Sequence, residues 1–64
     1  MNETEQNYAR AFSTAAGVAV LQHLRKMTIE RVLGPNASDA ELRSLESQRA
    51  LVHLIENMIS RGRK

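Results

Sequence analysis

Few residues of this chain have the types and spacing that chemistry requires. His23 and His53 stand alone, with no carboxylate or cysteine at ligand spacing. A metal centre needs several such donors converging, so the two imidazoles read as non-ligand positions. Ser13, Ser38, Ser44, Ser47 and Ser60 have no neighbouring base arrangement that would activate a hydroxyl. No glycine-rich phosphate loop, nucleophile elbow or HExxH pattern occurs. No carboxylate pair lies in a segment that would wall a cleft. The expectation is a protein without catalytic residues, metal or cofactor.

Charge gives a second set of candidates. Nine basic and seven acidic residues leave a net charge of +2, weak support for an anionic partner. The chain closes on Arg61-Gly62-Arg63-Lys64, and Arg61, Arg63 and Lys64 could contact phosphates. The same charges also suit a helix C-terminus, as Glu3 and Glu5 suit an N-terminus, so a merely dipole-matched, solvated tail is the competing reading. Arg25, Lys26 and Arg31 form a further small basic cluster. The last helical segment carries Asp39, Glu41, Glu46 and Glu56, however, and a recognition helix offers basic and amide groups instead. Nucleic-acid binding is therefore a secondary expectation.

These residues must be positioned by helices. Sixty-four residues make one domain, 1–64. With no cysteine and only Tyr8 and Phe12 as aromatics, the chain lacks both disulfides and large core-forming side chains. Chains of this size are marginal without staples or oligomerisation. Gly34-Pro35-Asn36-Ala37-Ser38 divides it: Gly34 is expected to supply a left-handed helix end, and Pro35 blocks continuation. Ser38-Asp39-Ala40-Glu41 then reads as a capping box that opens a last helix over 39–61. Before the corner, 3–33 reads as helix, either unbroken or split at Ser13 into a short helix over 3–12 and a main helix over 14–33. The split is preferred, because Ser13 and Thr14 favour caps over helix interiors. The fold class is all-α: a helical hairpin of two long antiparallel helices with a short N-terminal helix or extension.

The helical period places Gly17, Val20, Leu24, Met27 and Arg31 on one stripe, with Leu21, Thr28 and Val32 beside it. Ala15, Ala16, Gly17 and Ala19 make a small-residue patch that would admit a close helix neighbour. In the last helix Leu42, Leu45, Arg49, Val52, Ile55 or Glu56, and Ile59 follow one face, and Leu51, Leu54, Ile55 and Met58 an adjoining one. One face can cover the first helix; the other calls for a subunit copy or a foreign protein. Arg49 lies on the apolar stripe. Either its stem runs along the surface with its head in water, or it forms an ion pair within or between chains, with Glu46 and Glu30 as candidates.

Two blocks of residues resemble a known family. Phe12-Ser13-Thr14, Gly17, Val20-Leu21 and Leu24, then Glu46, Gln48, Arg49, Leu51-Val52 and Ile55, are similar to the Bordetella-phage (Bbp)-type domain of small proteins from short-tailed bacteriophages. The likeness spans about residues 12–59. The family often has glycine where Ser47 stands, and an aromatic-rich connection where this chain has Gly34-Pro35-Asn36-Ala37. The resemblance implies a phage-encoded virion or assembly component, since the family's genes lie among virion structural genes. It favours close helix approach at Gly17 and a partnered structural role for Arg49.

Taken together, these features lead to the expectation of a non-enzymatic phage virion or morphogenesis protein that docks on protein through its helical faces. The partner would be a second copy, a phage structural protein, or both. An oligomer is expected, in the host cytoplasm during assembly or in the virion. The contact residues would be Phe12, Gly17, Val20, Leu21, Leu24, Leu45, Arg49, Val52, Ile55 and Ile59. Alternatives are a small inhibitor of a host defence protein and an accessory DNA binder. No membrane role is expected, because the longest strongly apolar stretch, 15–21, is far short of the ~20 residues that span a bilayer. The acidic, polar N-terminal segment does not resemble a signal peptide.

Overall fold

The computed structural model describes residues 2–63, which form three helices: α1 (Glu3–Ala11), α2 (Ala15–Met27) and α3 (Asp39–Gly62). No strand occurs among them. The chain is all-α, with α2 and α3 making the hairpin and α1 packed against α3.

Two adjacent hydroxyls with opposite tasks make the break between α1 and α2. Ser13 Oγ donates to the Arg10 carbonyl at 2.8 Å and closes α1, whereas Thr14 Oγ1 accepts from the Gly17 N–H at 3.0 Å and opens α2. Each satisfies a backbone group that a helix end leaves orphaned. The unbroken helix over 3–33 is thereby excluded. Asn2 caps α1 in the same manner, accepting from the Glu5 N–H at 2.7 Å.

The corner differs from the expectation in two respects. First, α2 ends at Met27, well before Leu33. Thr28 is buried, and its Oγ1 donates to the Leu24 carbonyl at 2.7 Å. The Arg25 carbonyl accepts from both Thr28 N–H (3.2 Å) and Glu30 N–H (2.9 Å), which closes the helix. A longer helix would gain little, because Thr28, Ile29 and Val32 are β-branched and weak helix formers. Second, Gly34 is not a left-handed cap, for no described glycine has positive φ. Instead, the Ala37 N–H donates to the Gly34 carbonyl at 3.1 Å, closing a turn with Pro35 at its second position, where a fixed φ is favourable. The capping box forms as expected. Ser38 Oγ accepts from the Glu41 N–H at 3.1 Å, and the Glu41 carboxylate accepts from the Ser38 N–H at 3.4 Å.

The interior is a single seam. Leu45, Val52 and Ile59 are each about 4% exposed and recur every seventh residue along α3, joined by Ala9 and Thr28. A seven-residue interval keeps the three on nearly one line of the helix. α2 runs antiparallel to α3: Leu21 lies near Ile59 and Ser60, Arg25 near Glu56, and Thr28 near Arg49. The molecule measures 42 × 22 × 12 Å, with a radius of gyration of 13.8 Å. A compact chain of this length would have about 11 Å. Two stacked helix layers need about 13 Å or more across, given axes 8–10 Å apart and a Cα radius of 2.3 Å. The chain is thus an open slab with an incomplete interior. No described helix is long and apolar enough to cross a membrane.

Candidate functional site

The C-terminal end of α3 and its middle are held by different physics. At its C-terminal end the contact is backbone on backbone. A Cβ built on Gly62 would stand 2.1 Å from the Glu5 carbonyl oxygen and 2.9 Å from Ala9 Cβ. A Cβ on Gly17 would stand 2.1 Å from the Ala11 carbonyl oxygen and 2.9 Å from Phe12 Cα. Both glycines let α1 lie closer than any side chain would permit. Phe12 stacks on Tyr8 beside this junction, with ring centroids 6.4 Å apart and planes 17° apart. Close approach at Gly17 accords with the sequence pattern. Gly62 was not evident from sequence, since its position between two arginines drew notice only to charge.

Near the middle of α3 the contact is polar, and Arg49 makes it. Its Nε donates to the Thr28 carbonyl at 2.9 Å and one terminal nitrogen donates to the Arg31 carbonyl at 2.5 Å. The other terminal nitrogen pairs with Glu46 Oε1 at 2.7 Å. The guanidinium is therefore neither free in water nor paired with Glu30. It binds two carbonyls of the segment that follows α2: that of Thr28, which also accepts from the Arg31 N–H at 3.3 Å, and that of Arg31, whose helical donor would have been the N–H that Pro35 lacks. Arginine suits this task because its planar fork presents several fixed N–H groups at once. A second tie joins the helices midway, where the Arg25 guanidinium donates to the Glu56 carboxylate. His53 Nδ1 lies 3.5 Å from the same carboxylate. Both histidines are exposed, and among the described residues no three His, Cys, Asp or Glu side chains gather as a metal site would require.

Between these ties an apolar face stays open. A groove of about 600 Å³ runs between α2 and α3, lined by Leu24, Met27, Thr28, Arg31, Gln48, Leu51 and Val52. Val20, Leu24 and Met27 follow one another at helical spacing along its α2 side, and Leu54 continues its α3 side one turn beyond Leu51. Leu51 is 57% and Val20 53% exposed, and Met27 and Leu54 are also exposed. Large aliphatic side chains standing singly in water are ordinary; here several stand at helical spacing on the two helices that flank one groove.

The sequence-derived contact residues divide accordingly. Leu45, Val52 and Ile59 are consumed by the chain's own interior. Phe12 and Gly17 form the α1–α2 junction, Arg49 fastens the corner, and Leu21, Leu24 and Ile55 are half-buried. Val20 alone of the ten is left fully to the outside, whereas Met27, Leu51 and Leu54 carry most of the open face. In the basic tail, Arg61 lies 3.4 Å from Glu5 Oε2 and so serves α1. Arg63 is exposed, and Lys64 lies outside the described residues.

No curated protein and no solved structure matches the chain significantly. Comparison with known families matches residues 8–63, from the Tyr8–Phe12 stack through the last turn of α3, to the Bbp19-like phage proteins. That match takes in the Gly17 junction, the Arg49 fastening and the whole hairpin, and the chain belongs to the Bbp19-like phage protein family.

Proposed function

We propose that this phage protein is a non-enzymatic virion or morphogenesis component that works by docking its helices onto protein. One observation carries the reading: the open apolar row of Val20, Met27, Leu51 and Leu54 beside an interior of only a few side chains. A chain that leaves this much aliphatic surface in water has it available for a protein partner. Nucleic acid is the weaker fit. The face has a single charge, Arg31, among its lining residues, and Arg25 and Arg61 are engaged with Glu56 and Glu5. Phosphate recognition needs several free cations on one surface.

Mass spectrometry of purified particles of the encoding phage tests the reading. The chain is expected in particles or in assembly intermediates isolated by sedimentation. Its exclusion from both, with abundant free chain in the same infected cells, would overturn the virion and assembly role.

A further inference from the structure

We infer that the α2–α3 groove is occupied by a second copy of this chain, seated about a twofold axis so that Leu51 and Leu54 of each copy meet the Val20–Leu24–Met27 row of the other. The inference rests on the docking reading above and names the partner.

Area is the first argument. A compact folded chain of 7.2 kDa exposes about 4,100 Å². This one exposes 4713 Å², an excess of about 600 Å². Two copies each hiding that excess would bury about 1,200 Å², the lower limit of stable interfaces. The surplus, taken over the whole chain, therefore reaches the minimum that a stable pair of such chains needs.

Charge is the second argument. In a twofold contact every residue meets the same surface on its partner, so a face of one strong sign repels itself. Here the centre is Leu24, Met27, Thr28, Gln48, Leu51 and Val52, with Arg31 as the one ionised lining residue. A lining with few charges has the composition of an interface core. Shape is the third argument. α1 covers the C-terminal part of α3, against Gly62, and leaves Leu51 and Leu54 standing in water. A second hairpin laid on that uncovered part would complete a four-helix arrangement of the two α2–α3 pairs, with helix packed on helix as such bundles require.

Sedimentation equilibrium of the full chain, with Leu51→Glu beside it, tests the inference. The natural chain should sediment at twice 7.2 kDa at micromolar concentration. Leu51→Glu should weaken self-association at least about 100-fold, since a carboxylate would replace an aliphatic side chain at the centre of the contact. Its helical circular dichroism should be unchanged, because Leu51 is exposed within the chain. Because the chain has no cysteine, a second measurement is clean. Leu54→Cys chains mixed with Val20→Cys or Met27→Cys chains should give a mixed disulfide-linked pair under mild oxidation. Leu54→Cys mixed with Val18→Cys should not, because Val18 lies half a turn round α2 from Met27. A monomer at every concentration, or self-association unmoved by Leu51→Glu, overturns the inference. If the chain is monomeric yet Leu51→Glu is lost from particles, self-pairing is wrong and docking on another protein stands. If pairing is confirmed but the chain is excluded from particles and intermediates, the inference holds and the virion role fails.

Discussion

The C-terminal end of α3 and its N-terminal half solve the same problem in opposite ways. At Gly62 the neighbouring helix is admitted by removing side chains, so that backbone meets Ala9 and Glu5 directly. Near Arg49 the neighbouring chain is held by adding a long side chain, which reaches two carbonyls across the gap. The first solution excludes water and leaves nothing to spare. The second fixes geometry without covering apolar area, and the groove of Leu24, Met27 and Leu51 stays open beside it. The difference shows how a short chain can be well positioned and still leave apolar surface in water: hydrogen bonds set the arrangement of α2 and α3, while the apolar face beside them stays uncovered within the chain.

The largest effect should come from the tight end. Gly62→Ala would raise intrinsic helix propensity, yet its methyl would meet backbone at 2.1 Å. α1 must move, at about 2–3 kcal/mol, lowering the melting temperature by roughly 10–20 °C. An unchanged or higher melting temperature by circular dichroism would show that the close approach is not required. The Arg49 contact should be next. Arg49→Ala leaves the Thr28 and Arg31 carbonyls without their charged donor, a loss of about 2 kcal/mol. Arg49→Lys should recover less than half of it, because an ammonium lacks the fork that reaches both. Arg63→Ala, removing an exposed charge, should stay within about 0.5 kcal/mol. Equal melting temperatures for Arg49→Ala and Arg63→Ala would refute the fastening role.

Smaller effects sharpen the boundary between the two regions. Thr14→Ala removes the cap that opens α2 and should cost about 1 kcal/mol, with Thr14→Ser retaining most of the stability. A drop equal to that of Gly62→Ala would mean that the α1–α2 break itself, more than the close contact, holds α1 in place. Gly34→Ala should be the mildest. No atom lies within 4 Å of its added Cβ and its φ is not positive, so stability should rise slightly, by about 0.5 kcal/mol. A fall of more than 1 kcal/mol, measured by urea titration, would show that the turn needs glycine after all.

Much of this arrangement was legible in the sequence where the signal was local. The Ser38–Glu41 capping box, the Ser13-Thr14 break and the period of α3 depend on residues three or four apart, and each appears as read. What depended on distant residues was not legible. The end of α2 at Met27 is set jointly by Thr28 and Arg49, and the second of these comes from another helix. Arg49 was recognised as needing a partner, but the carbonyls of the segment that follows an early helix end are invisible until that end is known. Gly62 illustrates the same limit. The argument applied to Gly17, that a small residue admits a close neighbour, applied equally well there, yet nothing adjacent revealed which helix would arrive. The open face was foreseeable as an excess of apolar positions, while its assignment to Met27, Leu51 and Leu54 required knowing how little α1 covers.

The central claim is that the folded chain owes part of its stability to a protein surface beyond itself. The dependence of melting temperature on chain concentration tests this most directly, because association stabilises by mass action. Across a 100-fold range of concentration the melting temperature should climb by several degrees, and Leu51→Glu should flatten that climb. A cooperative melt at one temperature throughout the range, in a monomer, would contradict it.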